Sequence, residues 1–557
     1  MQFDALFLRA MSSMGITTCF GIIGSEAEAI RFDKALGITF YLTRHEFAAG
    51  IMADVAGRLT GIPHMCWATF GPGLTNMATG VCSAMLDRSP MVACSAQIPR
   101  PQIRFNLTHQ CIDNVGLMAG ITKSSLQLEK AEALGSHVQT ALQRTLDGLP
   151  GPAYLSIPLD LLKTEVPDRE ALAILQAVQP LTRRKKTKPA RADIIRAAQS
   201  ITDATHPMIV IGNQVIRDNA QASVCRFAKQ INAPIICSLA AKGAVPDDHP
   251  QFLTAANQYL DSVYRTSVLH PLFEGVDLMI LIGYDFGEDL KPALWGNDKP
   301  TLVINSVDVP MGDIFQPDIL CLGDMTRSLD QLAHHGLPQQ EWLASHQRLK
   351  RFFDKRQPAA QPDAVTDIPR IVAAVSTALG RDGIFCSDVG LHTQYAGLLA
   401  TTYHSNHFLC SNVCGSFGFG LPAAIAAQIC HPETRVLAFC GDGGFHATSQ
   451  ELETLVRYSL PVVIVVVADS AFGLITYYPH LNDADPQRHL TEFGPVDFTL
   501  LARANGVSAT KILDIADFPD VLEKAFQTHQ PHLIEMPVKY DNTLLPHIAE
   551  TAIDCHH

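Results

Sequence analysis

Short apolar runs rich in Val, Ile and aromatic residues punctuate this chain, and the stretches between them carry apolar residues at helical spacing. Such runs bounded by Gly, Pro, Asn or Asp read as buried strands, and regular exchange of strand and helix reads as α/β units on parallel sheets. From Met1 to about Leu162 the runs FYLTRH, HMCWATF, PMVACSAQ and PAYLSIPLD predict strands. PMIVIG, PIICSLA, DLMILIG and TLVINS predict a second set from about Ala192 to Leu332, and GIFCSDVG, RVLAFC, PVVIVVVAD and HLIEMPV a third. The expected fold class is therefore α/β, with three doubly wound parallel-sheet domains over residues 1–165, 190–335 and 365–545. The basic, proline-containing run LTRRKKTKPAR (Leu181–Arg191) reads as a solvated linker, and the polar QPAAQPDAVTD (Gln357–Asp367) as a second. Similar size and strand content in the first and third units suggest a duplicated architecture.

The third unit holds the most informative stretch, RVLAFCGDGGFHATSQELETLVRYSLPVVIVVVADSAFGLI (Arg435–Ile475). It reads as strand, glycine turn, helix, strand, and each strand ends in an aspartate: Asp442 within Gly441–Gly444, and Asp469. Both fall at the carboxyl edge of the predicted sheet, where open α/β sheets bind ligands. Magnesium takes oxygen ligands and is usually held by one or two carboxylates together with substrate phosphates. Thr448 and Glu451 fit a capping box and predict a helix starting near Thr448, whose free N–H groups would face an anion. Together these features predict a metal-bridged diphosphate.

Composition narrows the partners. With 557 residues, 47% of them hydrophobic, and a net charge of −13, the chain suits several soluble cores and argues against a nucleic-acid surface. No apolar run approaches membrane-spanning length and the first residues lack a secretory pattern, so no membrane partner and a cytoplasmic location are expected. None of the 14 cysteines forms a CxxC pair, which predicts buried reduced thiols. In the second unit neither GNQVIRDNA nor GYDFGEDLK completes a GxGxxG fingerprint, so neither NAD nor FAD is expected there. The C-terminal CHH (Cys555–His557) reads as a disordered tail rather than a metal site.

Asp469 follows Asp442 by 27 residues, and with that spacing the chain resembles the thiamine-diphosphate enzymes of the acetolactate synthase and pyruvate decarboxylase superfamily. The resemblance covers nearly the whole chain and implies a pyrimidine-binding first domain, a central domain and a diphosphate-binding third domain. It implies that thiamine diphosphate and Mg2+ are the cofactors, with Asp442, Asp469 and the backbone carbonyl of Ala471 as metal ligands. YLTRHEFAAG supplies Glu46, the residue that in this family hydrogen-bonds the aminopyrimidine and so promotes loss of the thiazolium proton. ATFGPGLTN, LDRSP and THQCIDNV match as well, giving Asn76 as a cofactor contact and His109 and Gln110 as acid-base and orienting candidates. CGSFGFGLPAA gives Phe417 as the wedge that bends the cofactor and Gly415 as a backbone partner; acetolactate synthases usually carry Met at the wedge. Gly390, His392, Gly443, Gly444 and Phe445 complete the implied cofactor contacts, and His446 is a further candidate there or a helix cap. Because family members build each site across two subunits, a homodimer is the expected minimum and a homotetramer the expected form.

Within the superfamily the wording LTRHEF, CWAT, LDRSP, THQC, AAKG, GYD, EDL and GDGGFH is most similar to the carboxyethylarginine synthases. That resemblance implies transfer of a three-carbon donor, glyceraldehyde 3-phosphate or a relative of it, to the amino group of arginine. RHE, HQ, GDGGF, ELET and EFGP point next to catabolic acetolactate synthase, which implies pyruvate decarboxylation and carboligation. The same scaffold admits simple decarboxylation of a 2-oxo acid, and also a non-catalytic homologue, whose mark would be the loss of Glu46, Asp442 or Asp469. Ser25, Thr393 and Gln394 stand where the arginine-directed enzymes would be expected to carry basic or imidazole side chains, and losing cations weakens the case for a phosphorylated donor.

Overall fold

The strands are built from near-continuous Val, Ile, Leu and Ala runs, as parallel strands covered on both faces require. The computed structural model of the chain describes residues 1–183, 186–256, 270–285, 287–288, 295, 299–309, 315–355, 368–476 and 488–540. The second predicted linker and the CHH tail lie outside these residues. The first sheet comprises β1 (Thr18–Gly21), β2 (Thr39–Leu42), β3 (His64–Ala68), β4 (Met91–Gln97), β5 (Ser124–Gln127) and β6 (Pro152–Pro158). The second comprises β7 (Pro207–Ile211), β8 (Ile235–Ser238), β9 (Phe252–Ala256), β10 (Leu278–Ile282), β11 (Thr301–Asn305) and β12 (Ile319–Leu322). The third comprises β13 (Ile384–Ser387), β14 (Phe408–Leu409), β15 (Val436–Gly441), β16 (Val463–Ala468), β17 (Ser508–Lys511) and β18 (His532–Pro537).

All three sheets are parallel and flanked by helices, as the sequence predicts. The first runs β2-β1-β3-β4-β6-β5 and the third β14-β13-β15-β16-β18-β17, the same order by position, which agrees with a duplicated architecture. In both, the order reverses beside the first strand, so a ligand crevice belongs at the carboxyl ends of β13 and β15 in the third sheet. Among the described residues no helix is long and apolar enough to cross a membrane.

The first and third domains meet through the helices Glu46–Thr60 and Gly420–Cys430, whose apolar faces share one buried cluster. Arg58 sits at this junction. It bonds Asp54 (2.6 Å) and Asp87 (3.0 Å), donates to the Cys410 carbonyl (2.8 Å) and lies over the Phe419 ring. Asp87 in turn accepts from the Val413 N–H at 2.7 Å, so this cluster anchors the start of the loop that carries Gly415 and Phe417. Truncating Arg58 to Ala strands two buried carboxylates and is expected to cost about 3–5 kcal/mol in chemical denaturation.

The described residues of the linker after Leu181 are mostly exposed, in keeping with its solvated reading, yet they are held to the second domain. Arg183 donates to the Arg217 carbonyl, Lys186 to the Asp218 carbonyl, and Asp324 N–H to Thr187 O, so the segment is laid along the second domain. Arg183 and Lys186 find backbone acceptors there that composition alone does not reveal.

Candidate active site

Asp442 opens the short helix Asp442–Thr448 directly after β15 and is buried. Its Oδ1 accepts from the Gly443 N–H (2.8 Å) and its Oδ2 from the Ser470 N–H (2.6 Å). Asp469 ends β16. Ser470 then adopts a left-handed φ of 58°, turning the chain so that Ala471 bridges to Glu492 while the Phe472 and Phe493 N–H groups bond Thr491 O and Ser470 O. This turn brings the two aspartates into direct contact. Burial pushes both carboxyls above the usual carboxylate range, and the Asp442 charge pushes Asp469 further. Asp469 Oδ2 is buried with no hydrogen-bond partner among the described residues.

Two neighbouring buried carboxylates with an oxygen left over fit a hard divalent cation, whose charge would offset their mutual repulsion. Among the described residues there is no group of three or more His, Cys, Asp or Glu that could hold a metal, and a pair of carboxylates completed by carbonyls, water or ligand phosphate is a set that suits magnesium. Gly444 has a steric reason to be glycine: a Cβ there would stand 2.8 Å from the Asp388 carboxylate. At Gly443 a Cβ would meet the Phe472 ring at 2.8 Å.

The predicted capping box does not form. A helical stretch does start at Thr448, as a 3-10 turn over Ser449–Glu451 that leads into the helix Leu452–Arg457, but it follows the short helix Asp442–Thr448 and the Thr448 hydroxyl donates to Gly418 O (3.2 Å) and caps nothing. Glu451 is buried and turned toward the first domain, accepting from the Arg44 N–H (2.9 Å) and Thr454 (2.6 Å); burial raises it to about 7. Tertiary partners outcompete the local cap. The Phe445 ring is fully buried against Phe498, which leaves its backbone for contact with a ligand. His446 is exposed.

Around the carboxylates, Phe417 is 53% exposed and meets Phe472 edge-on at 6.1 Å, while Phe472 meets Phe493 at 5.4 Å. Gly415, at φ 64°, makes the turn that presents Phe417. An exposed Phe417 makes its removal cheap for folding: Phe417→Ala should change stability by no more than about 0.5 kcal/mol. If it wedges a cofactor, the same variant should bind thiamine diphosphate several-fold more weakly in a fluorescence titration.

His392 is buried between Gly390 and Gly441, edge-on to Phe439 at 5.3 Å, and burial lowers it to about 3. It is therefore neutral, and its Nε2 has no partner among the described residues. Thr393 and Gln394 are also buried; the Thr393 hydroxyl donates to Asp388 O, and Gln394 Oε1 has no partner among the described residues. Ser25 is exposed on the turn after β1.

Asp388 is the residue that sequence reasoning missed. Fully buried at the end of β13, it accepts from the N–H groups of Val389 (2.6 Å), Gly418 (2.8 Å) and Gly420 (3.1 Å). It thereby fastens the far end of the Phe417 loop beside Asp442. Burial raises its carboxyl to about 6 against those three bonds.

In the first domain Glu46 is the first residue of its helix, capped by His45, whose Nδ1 accepts from the Phe47 N–H. Glu46 is buried, takes a hydrogen bond from Asn76 Nδ2 (3.2 Å), and lies 3.3 Å from where a Gly73 Cβ would stand. Gln110, at φ 56°, presses on Gly71 at the head of the same Pro72–Leu86 helix. The structure thus brings Glu46 and Asn76 together and places Gln110 near them, while His109 is exposed on its loop.

Comparison with known proteins bears directly on this arrangement. The N-terminal TPP binding domain of thiamine pyrophosphate enzymes matches residues 1–117, their central domain residues 194–332, and their C-terminal TPP binding domain residues 388–536. The chain belongs to the thiamine pyrophosphate enzymes. Its relatives match nearly the whole length of this thiamine pyrophosphate enzyme. A probable acetolactate synthase large subunit of Methanocaldococcus jannaschii is 29% identical over 95% of the chain and 91% of that protein. The acetolactate synthase of Bacillus subtilis is 27% identical over 97% and 93%, and the catabolic acetolactate synthase of Raoultella terrigena 28% identical over 97% and 96%. Proteins named acetolactate synthase are thus similar to this thiamine pyrophosphate enzyme along nearly its whole length, and the similarity shows no special kinship with carboxyethylarginine synthase.

Proposed function

We propose that this thiamine pyrophosphate enzyme is a carboligase of the acetolactate synthase type, releasing CO2 from pyruvate and joining the remaining two-carbon unit to a second 2-oxo acid. The observation that carries the reading is the Asp442–Asp469 pair with its unpartnered oxygen, set at the strand ends where a metal and diphosphate belong. Mg2+ is the proposed ion, held by Asp442, Asp469 and the Ala471 carbonyl. Bound thiamine diphosphate supplies the electron sink for carbanion chemistry. Glu46, held by Asn76, would carry the proton at the pyrimidine ring nitrogen, and neutral His392, whose one N–H is spent on backbone carbonyl, would line the diphosphate end. Gly415 would offer backbone to the pyrimidine while Phe417 fixes its tilt. Gln110 would orient the substrate, with His109 brought in as the proton donor when its exposed loop is covered.

The exposed aromatic rim of Phe417 and Phe472, with Ile475, supports a second copy of the chain as the cover, and a homodimer or homotetramer in the cytoplasm is the proposed form. Pyruvate is favoured over a sugar phosphate because Ser25, Thr393 and Gln394 supply no cation, and Thr393 and Gln394 are buried. Three-carbon transfer to arginine is the second reading, resting on the shared wording LTRHEF, LDRSP and GDGGFH. Both are tested by incubating the protein, thiamine diphosphate and Mg2+ with pyruvate, and separately with glyceraldehyde 3-phosphate plus arginine. CO2 and acetolactate in the first mixture are expected. An arginine adduct in the second, with none of these in the first, would replace the reading.

A further inference from the structure

The second sheet runs β12-β11-β10-β7-β8-β9, which by position is the order of a dinucleotide-binding fold with its reversal between β7 and β10. In such folds a diphosphate lies on the backbone N–H groups of the turn after the first strand, here Gly212–Asn213. That place is filled from within. Glu288, on the loop after β10, is buried, and its Oε1 accepts from Asn213 N–H (3.0 Å) and Asp285 N–H (3.2 Å). Its Oε2 accepts from Asn213 N–H (3.2 Å) and from the Ser238 hydroxyl at the end of β8. The loop can reach in because Gly283, at φ 60°, turns it back and Gly212 has no Cβ, which would stand 2.8 Å from Glu288 Oε1.

Three further features close the crevice. The chain after β7 makes a single helical turn, Gln214–Arg217, before Asn219 at φ 55° interrupts it, so no long helix points at this spot. Asp285, on the Glu288 loop, pairs with Arg88 of the first domain (2.9 Å), and Arg217 donates to Asp87 O (3.1 Å). The cavity that Glu288 and Asp285 line with Asn213 and these arginines is about 20 Å³, room for a water, and the larger space of about 380 Å³ lies on the other side of Asn213 and Arg217, toward Arg183 and Asn219, where Glu288 does not line it.

We propose that Glu288 is a built-in substitute for a nucleotide diphosphate: its carboxylate occupies the anion position of the central domain and so keeps flavin and nicotinamide dinucleotides from seating their diphosphate on that turn. The inference does not depend on which 2-oxo acid the enzyme uses. Binding of FAD and of ADP to the holoenzyme, loaded with thiamine diphosphate and Mg2+, is measured by equilibrium dialysis for the wild type, Glu288→Ala and Glu288→Gln. No saturable binding by the wild type is expected, and ADP binding should strengthen by about tenfold or more in Glu288→Ala, where both the charge and the obstruction are gone. Glu288→Gln keeps the bulk, guards against an unfolded Ala variant, and should let inorganic pyrophosphate raise its melting temperature where the wild type does not respond. Saturable FAD or ADP binding by the wild type would overturn the proposal. So would a folded Glu288→Ala that gains no ADP binding, or a Glu288→Gln indifferent to pyrophosphate.

Discussion

Replacing Glu46 with Gln is expected to lower turnover by about 100- to 10,000-fold, the usual worth of a positioned acid-base group, while leaving affinity for thiamine diphosphate and Mg2+ within a few-fold of normal. The separation follows from geometry. Glu46 lies in the first domain against Asn76 and Gly73, whereas the carboxylates proposed to hold the metal lie at the ends of β15 and β16. Gln keeps the volume and can still accept from Asn76 Nδ2, so the helix start should survive and the loss should be chemical. Proton exchange at the cofactor's reactive carbon, followed by NMR, checks this directly. Normal exchange in the variant would remove Glu46 from its role.

Asp442→Ala is expected to act on the other half, lowering affinity for the metal and diphosphate by more than the roughly 10- to 100-fold typical of losing an outer-shell partner. It also strands the Ser470 N–H, so Asp469→Asn serves as the gentler variant. The pH dependence separates repulsion from ligation. Both carboxyls have folded values above their unfolded value of about 3.9, so between that value and the raised one the native state holds more protons. Without metal, this pair should therefore make the protein less stable as pH rises through that window. Melting curves of the apoprotein at about pH 5 and pH 8 should show the fall, Asp469→Asn should flatten it, and Mg2+ with thiamine diphosphate should stabilise more at the higher pH. If two copies share each site, mixing inactive Glu46→Gln and Asp442→Ala chains under conditions of subunit exchange should restore activity.

The long apolar runs tell of the sheet interiors and little of their edges. β5, β12 and β17 are short and half-exposed, reading SSLQ, ILCL and SATK, and β14 contributes only Phe408–Leu409. A strand with one neighbour and an open face has no continuous apolar run to betray it. β1 escapes for another reason: Thr18–Gly21 is interior but only four residues long. Asp442 and Asp469 stand out in the sequence because a carboxylate at a strand end beside glycines is rare enough to notice. Asp388 is silent, since its partners are backbone N–H groups of Gly418 and Gly420, thirty residues away and without side chains to form a pattern. The Thr448–Glu451 spacing misleads for the converse reason: a local pattern is present, but Arg44 and Gly418 claim both side chains. Glu288 likewise has no motif, because what it replaces is a ligand.

The most direct measurement is mass spectrometry of acid-quenched mixtures of the protein, thiamine diphosphate and Mg2+ with pyruvate or with glyceraldehyde 3-phosphate. A cofactor adduct carrying carbon from pyruvate and none from the sugar phosphate is expected. An adduct formed only with glyceraldehyde 3-phosphate, or none with pyruvate, would contradict it.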